Sequence, residues 1–338
     1  MTDLKAKFEK KIFDFKQPSG TSRGVLTKKH AWFITVWNYR DPSIRGIGEC
    51  SIIPGLSPDF ESFESYERKL NSVCNQLNQD LIDWPSIRFG VETAILDLEN
   101  GGTRTYFDNA FAKGNRKIPI NGLIWMGDKA FMHKQIEDKI AEGFTTIKMK
   151  IGAIDFNTEI ELLQEIRRRY SKDEMSLRVD ANGAFSVEEA SEKLERLFDL
   201  EIHSIEQPIA PGQSYEMAKL CAQSELDIAL DEELIGVNDP DKKNALLTAI
   251  KPQYIILKPS LHGGILGTRE WIEIAEKKQI QWWITSALES NIGLKAICEL
   301  TAEYKNKLPQ GLGTGSLYLN NVPSPLHVQN GYIHIRNK

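Results

Sequence analysis

The chain has 338 residues, 41% hydrophobic and 26% charged, with a formal net charge of −5 and a pI near 5.8. This composition is ordinary for a globular protein and exceeds what one small core needs; the acidic balance argues against nucleic acid or an anionic membrane as partner. No stretch reaches the length of a membrane span, the N-terminus opens charged without an apolar signal core, and Cys50, Cys74, Cys221 and Cys298 are scattered. A reduced cytoplasmic protein with structural thiols is therefore expected.

Residues 1–55 read as a β-meander. Its clearest strand is Ala-Trp-Phe-Ile-Thr-Val-Trp at 31–37, and another at 46–55 ends in the Pro54-Gly55 turn. Residues 62–81 have helical spacing, and a second helix at 89–98 stops at Gly101-Gly102. Strands followed by helices predict an α+β unit over 1–117. The tail, 316–338, is expected to complete it, with the strand at 331–335 returning to this first unit.

The grammar changes at Ile118. Short apolar strands at 118–125, 145–151, 176–182, 203–208, 227–232, 254–259 and 281–285, and a weak one near Leu312, alternate with amphipathic stretches such as 134–141, 159–170 and 187–198. Repeated strand–helix units imply parallel pairing, and eight strands are what a closed barrel requires. The predicted class is α/β, a (β/α) barrel over 118–315 with an N-terminal α+β capping domain.

The strand at Thr146-Ile-Lys-Met-Lys150 carries two lysines on one side, because side chains alternate along a strand. Taken by itself it could be an edge strand kept soluble by charge. Downstream, however, Lys150, Asp180, Glu206, Asp231 and Lys258 each close a strand, at spacings of 30, 26, 25 and 27 residues. Each spacing is one βα unit, so all five reach the C-terminal mouth of the barrel, where such folds place their chemistry. A single acid at a strand end is more often a helix cap. Three on consecutive strands cannot all stay ionised without a cation, and an all-oxygen set suits Mg²⁺. A lysine ammonium is a poor base at ~10.4, but burial and a neighbouring cation bring such groups towards ~7–8. Lys148 beside Lys150 supplies that neighbour. A base facing a carboxylate-bound metal suits removal of a proton α to a carboxylate.

These residues resemble the enolase superfamily in its muconate-lactonising subgroup, through the Lys148-x-Lys150 pair, three acids and a distal lysine. Ile120-Asn-Gly-Leu-Ile124, Arg178-Val-Asp-Ala-Asn182, Ile256-Leu-Lys-Pro-Ser260 and Ser286-Ala-Leu-Glu-Ser290 look most like the dehydratase family of menaquinone biosynthesis. The resemblance implies an enolase-type modified TIM barrel, with Asp180, Glu206 and Asp231 as ligands of Mg²⁺, or of Mn²⁺ as a substitute. It implies Lys150 as the base, Lys258 steadying the enolate from the opposite face, and Lys148 tuning Lys150 and touching a substrate carboxylate. Asn182 would support the metal site. Loops 20–24 and 53–57 would close over the mouth.

Glu232 stands as a rival third ligand, since strand parity alone does not choose between it and Asp231. His262 reads as a loop residue. The implied reaction is syn dehydration of a succinyl-hydroxycyclohexadiene carboxylate, with one lysine serving as base and then as acid. The alternative is a dipeptide epimerase or N-succinylamino acid racemase using Lys150 and Lys258 on opposite faces; a non-catalytic binding protein is the reading from another class. Residues 311–316 carry no acid to grip a substrate ammonium, which favours the dehydratase. Arg23 or Lys148 would pair a carboxylate of this small dicarboxylate, and Asn182, Ser286, Gly313 and Thr314 would contact it, under an apolar lid of Ile52, Ile53 and Leu56.

Overall fold

The structure, a computed structural model, describes residues 3–21 and 24–336. Three antiparallel strands, β1 (Leu4–Thr21), β2 (Gly24–Asn38) and β3 (Asp41–Ser51), pair in that order. Alternation along β2 turns Trp32, Ile34 and Val36 onto two helices, α1 (Phe63–Asn75) and α2 (Pro85–Glu99), where they meet Tyr66, Leu70, Ile87 and Val91. The first helix begins at a reciprocal capping box between Ser62 and Ser65. The second begins at Pro85, whose missing N–H is no loss in a first turn. α2 lies directly on β3. A Cβ at Gly46 or Gly48 would sit 1.9 Å from a carbonyl oxygen of that helix, so only glycine permits the approach.

The strand expected over 118–125 is divided in two. β4 (Ile118–Pro119) leaves the barrel sheet, and β5 (Gly122–Ile124) begins it. The parallel sheet continues through β6 (Thr146–Lys150), β7 (Ser176–Asp180), β8 (Ser204–Glu206), β9 (Ile228–Leu230), β10 (Tyr254–Leu257) and β11 (Gln281–Ile284). Helices α3 (Lys129–Ala141), α4 (Phe156–Arg169), α5 (Val187–Phe198), α6 (Ser214–Gln223), α7 (Pro240–Ile250), α8 (Gly264–Lys277) and α9 (Asn291–Ala302) follow these strands in turn. Side chains of Asp128, Asp155, Ser186, Asp239 and Ser290 cap five of them. The weak eighth strand is reduced to residues 310–311, whose parallel bridges to Ile120 and Thr285 close the ring. Pro309 has no amide to extend that ladder, and a 3₁₀ turn at Gly313–Ser316 ends it.

Alternation sorts the barrel residues. Ile147, Met149, Leu177, Val179, Ile205, Leu230 and Leu257 face the helices in one large core. Ala229, Tyr254, Ile256 and Trp283 form a separate inner plug, with the Arg178 guanidinium 4.0 Å from the Trp283 ring. Above that plug the inward rows continue as Lys148, Lys150, Asp180, Glu206, Asp231 and Lys258.

Of the tail expected over 316–338, Leu317 and Tyr318 meet the cap and the terminal hairpin does not. β12 (Leu326–Gln329) and β13 (Tyr332–Ile335) form a hairpin that pairs with β4, at the start of the barrel, instead of the capping sheet. The left-handed Asn330-Gly331 turn, φ 51° and 72°, folds the tail back on itself and leaves the free edge of β13 to Ile118 and Pro119. Contact with the cap is made just upstream, where Phe15 bridges Tyr318 and the Lys16 N–H donates to the Leu317 carbonyl. Among the described residues no helix is long and apolar enough to cross a membrane.

Candidate active site at the barrel mouth

Neighbouring parallel strands bring the ends of β6, β7 and β8 into register, Lys150 beside Asp180 and Asp180 beside Glu206. Sharp turns follow. Asn182 and Gln207 have φ of 45° and 40°, a left-handed backbone that folds the chain away at once and leaves each acid at the rim. The Gln207 side chain then organises the next strand, its Oε1 accepting the amides of Asp231 and Glu233, both at 3.2 Å.

The five strand-end residues converge. Lys148 donates to Glu206 Oε2 at 2.6 Å and to Asp180 Oδ2 at 3.0 Å. Lys150 donates to Asp180 Oδ2 at 3.1 Å and to Asn182 Oδ1 at 2.7 Å, and Asn182 Nδ2 donates to Glu232 Oε1 at 3.0 Å. Across the row, Lys258 is ion-paired with Asp231. Lys150 and Lys258 thus flank the acids from β6 and from the end of β10.

Burial sets the electrostatics. Lys148 would lose its proton more readily through desolvation, but Asp180 and Glu206 outweigh that and hold it well above the usual lysine range. Desolvation of Lys258 is likewise outweighed by Asp231 and Glu206, which raise it. Asp180 and Glu206 share Lys148 yet move oppositely. Desolvation raises Asp180 as well, but Lys148 and Lys150 together drive it below the carboxylate range. Glu206, with Lys148 as its one hydrogen-bonded ammonium, is pushed up to about 8 by burial and by repulsion from Asp180. Burial also raises Asp231. Glu206 Oε1 and Asp231 Oδ1 are buried without a hydrogen-bond donor. Two donorless oxygens in so crowded an acid row fit a hard cation. Among the described residues no three acids stand in metal-holding geometry; Asp180 and Glu206 are paired with Lys148, and Asp231 with Lys258.

Both candidate third acids reach the site by different routes. Asp231 continues the inward row of β9 and is fully buried against Lys258. Glu232 lines the cavity and holds Asn182.

A cavity of about 450 Å³ opens over this row. Ser286, Gly313 and Thr314 line it, with Thr314 Oγ1 donating to Ser286 Oγ at 2.9 Å and Ser286 Oγ donating to Glu289 Oε2 at 2.8 Å. Ile53 and Leu56 line it too, but Ile52 does not join the lid. It is buried in the capping core with Trp32 and Tyr66, because its side chain points to the opposite face from Ile53. Arg23 lies outside the described residues. Lys148, expected to touch a substrate carboxylate, lines the cavity while donating to Asp180 and Glu206.

Two wall residues were not singled out from the sequence. Lys16 of β1 lines the cavity, but among Lys5, Lys7, Lys10 and Lys11 it reads as part of a solvated face. Trp125 is clamped by Gln135, whose Oε1 accepts its amide at 2.9 Å and whose Nε2 donates to its carbonyl at 3.1 Å. Its position just past a strand end was the available signal.

A family model for enolase C-terminal domain-like proteins matches residues 132–338. An o-succinylbenzoate synthase of Desulfotalea psychrophila is 45% identical, across 99% of this chain and 100% of that protein. The crystal structure of MenC from the same organism superposes with a TM-score of 0.87 at 42% identity, covering 98% of this chain and 100% of that one. An L-Ala-D/L-Glu epimerase of Bacillus subtilis is 28% identical over 52% of this chain and 47% of its own length.

Proposed function

Since the chain belongs to the enolase C-terminal domain-like family, we propose that it is a carbon–oxygen lyase, an o-succinylbenzoate synthase of menaquinone biosynthesis. It dehydrates 2-succinyl-6-hydroxy-2,4-cyclohexadiene-1-carboxylate to 2-succinylbenzoate. The observation that carries this is 45% identity to such an enzyme over the full length of both proteins. The mouth geometry supports the same chemistry, with an ammonium on each side of a buried carboxylate row.

Asp180, Glu206 and Asp231 would hold Mg²⁺, which when bound supplies positive charge for the enediolate that develops on the substrate. Lys150, as the free amine, takes the proton from C1 at Nζ. The electron pair left behind closes the ring double bond as the C6–OH bond breaks, and Lys150 returns its proton to the departing oxygen. Water leaves, the ring becomes aromatic, and the lysine ends as it began, which requires hydrogen and hydroxyl on one face. Lys258 stays charged on the other face and steadies the anion. Asn182 accepts from Lys150 and so aims it. Lys16 is the cap cation that would meet the distal succinyl carboxylate, while Ile53, Leu56 and Trp125 exclude water from the ring. A cytoplasmic site of action fits a soluble precursor and needs no membrane element.

The competing reading, an epimerase or racemase, uses the same lysines. Side-by-side kinetics decide between them. The dehydration should exceed racemisation of an N-succinyl amino acid or epimerisation of Ala-Glu by at least about 100-fold in kcat/KM, about 2.7 kcal/mol of discrimination. Comparable rates on either alternative would overturn the assignment and leave the family alone.

A further inference from the structure

Lys258 stands one residue beyond β10, where the strand ladder no longer serves its backbone. Both of its main-chain polar groups are taken by a single residue. The Lys258 N–H donates to His262 Nδ1 at 2.9 Å, and the His262 N–H donates to the Lys258 carbonyl at 3.0 Å. A second donor, the Leu261 N–H, reaches the same carbonyl at 2.8 Å. The imidazole therefore closes a ring around the peptide that carries the catalytic ammonium. With Nδ1 accepting, its proton must sit on Nε2. That Nε2 is buried without an acceptor, and the whole residue is 0% exposed. A buried donor left unpaired weakens the fold, so this histidine is a poor choice for stability alone. Desolvation first, and then the charges of Lys258 and Lys243, push its pKa well below the usual histidine value, in keeping with a neutral acceptor. The turn that brings the ring back to residue 258 runs through Pro259, Ser260 and Leu261, and Gly263 and Gly264, at φ 93° and 73°, then lead the chain into α8.

We propose that His262 is a positioning residue for the dehydration, gripping the Lys258 peptide so that its ammonium is aimed across the mouth at Asp231 and the substrate face opposite Lys150. This rests on the function proposed above. It concerns placement, not charge, and so predicts which replacements rescue. Asparagine sets its Oδ1 where Nδ1 lies and can still accept the amide. Glutamine sets its oxygen one bond further out, near the Nε2 position, and leucine offers no acceptor.

The test compares full-length wild type with His262→Asn, His262→Gln and His262→Leu. It measures steady-state kcat and KM, melting temperature, and hydrogen exchange of the peptide containing the Lys258 amide. Gln and Leu should lower kcat by roughly 10- to 100-fold, with KM within about threefold, as expected of a misaimed group. They should also speed exchange at Lys258, while Asn should stay within about threefold of wild type on every count. Unchanged exchange in His262→Gln would overturn the grip itself, whatever the activity. Faster exchange with kcat unchanged would overturn its role in positioning, as would an Asn variant as slow as Gln at equal melting temperature. Should the Leu variant not fold, the Asn–Gln pair decides. Wild type inactive on the cyclohexadiene substrate would overturn the functional reading instead, and the exchange result would still judge the grip.

Discussion

Lys150 and Lys258 carry the same group but stand in different company. The first donates to Asp180 and to the neutral amide oxygen of Asn182; the second is paired with Asp231. If Lys150 is the sole base of a syn elimination, Lys150→Ala should lose turnover by at least about 10²- to 10⁴-fold, together with exchange of the α-proton in deuterated solvent. Lys258→Arg should keep more activity than Lys150→Arg, because arginine preserves charge yet does not give up a proton. Equal recovery at the two positions would count for a two-base racemase. The residues of this pair were legible in the sequence because Lys150 ends β6 and Lys258 directly follows β10. Their partners were only partly so. That Lys148 sits between Asp180 and Glu206 follows from the barrel interior, where an uncompensated carboxylate is costlier than a paired one.

At the scale of elements, the cap is fastened to the barrel by carboxylates that end its helices. Glu49 on β3 accepts from the Ser290 amide at 2.9 Å, the Ser290 hydroxyl at 2.6 Å and the Gly293 amide at 2.9 Å, so it caps α9 from another layer. Glu92 on α2 does the same for α8, accepting the Ile265 and Leu266 amides. Lys29 on β2 is buried and donates to the Ala287 carbonyl at 2.9 Å, in the loop that presents Ser286 to the cavity. Glu49→Ala would strand buried donors at both Ser290 and Gly293. It should destabilise the protein by about 2–4 kcal/mol, seen as a lower urea midpoint at unchanged slope. Glu49→Gln, keeping one acceptor oxygen, should lose about half of that. An alanine variant within about 0.5 kcal/mol of wild type would mean that the cap is held by apolar packing alone. Nothing in the sequence marked Glu49, which lies 241 positions from the Ser290 it holds.

For the molecule as a whole, His203 at the foot of the barrel ties stability to pH. Its ring packs 5.3 Å from Tyr254, and burial followed by the nearby Arg178 charge pushes its pKa from 6.5 down to about 4. Between those values the unfolded chain binds the proton and the folded one does not, so stability rises with pH through the window and is lost on acidification below 6.5. Asp59 acts in the opposite sense. Burial pushes it from 3.8 up to about 6, so the folded state holds its proton longer and this group loses stability as pH rises between those values. Comparing wild type with His203→Gln by denaturation at about pH 4.5 and 7 isolates the histidine. Wild type should lose more on acidification, by no more than about 3 kcal/mol and less once partial exposure is allowed for. Equal losses would show that His203 does not contribute.

The sequence by itself determined the alternation of strands and helices after Ile118, the approach of Lys150, Asp180, Glu206, Asp231 and Lys258 to one mouth, and the chemistry such a set can perform. Those features follow from local rules: side chains alternate along a strand, and one βα unit advances the ring by one place. Tertiary structure alone decided that the eighth strand shrinks to Gln310 and Gly311, and that the tail turns back on Ile118. It also decided that Lys16 reaches the cavity and that His262 holds Lys258. Each of these is a contact whose existence depends on where turns and loops bring distant or irregular backbone together. Hydrogen-bond and charge partners are chosen by distance in space and by burial, and neither is a property of a residue's place in the chain.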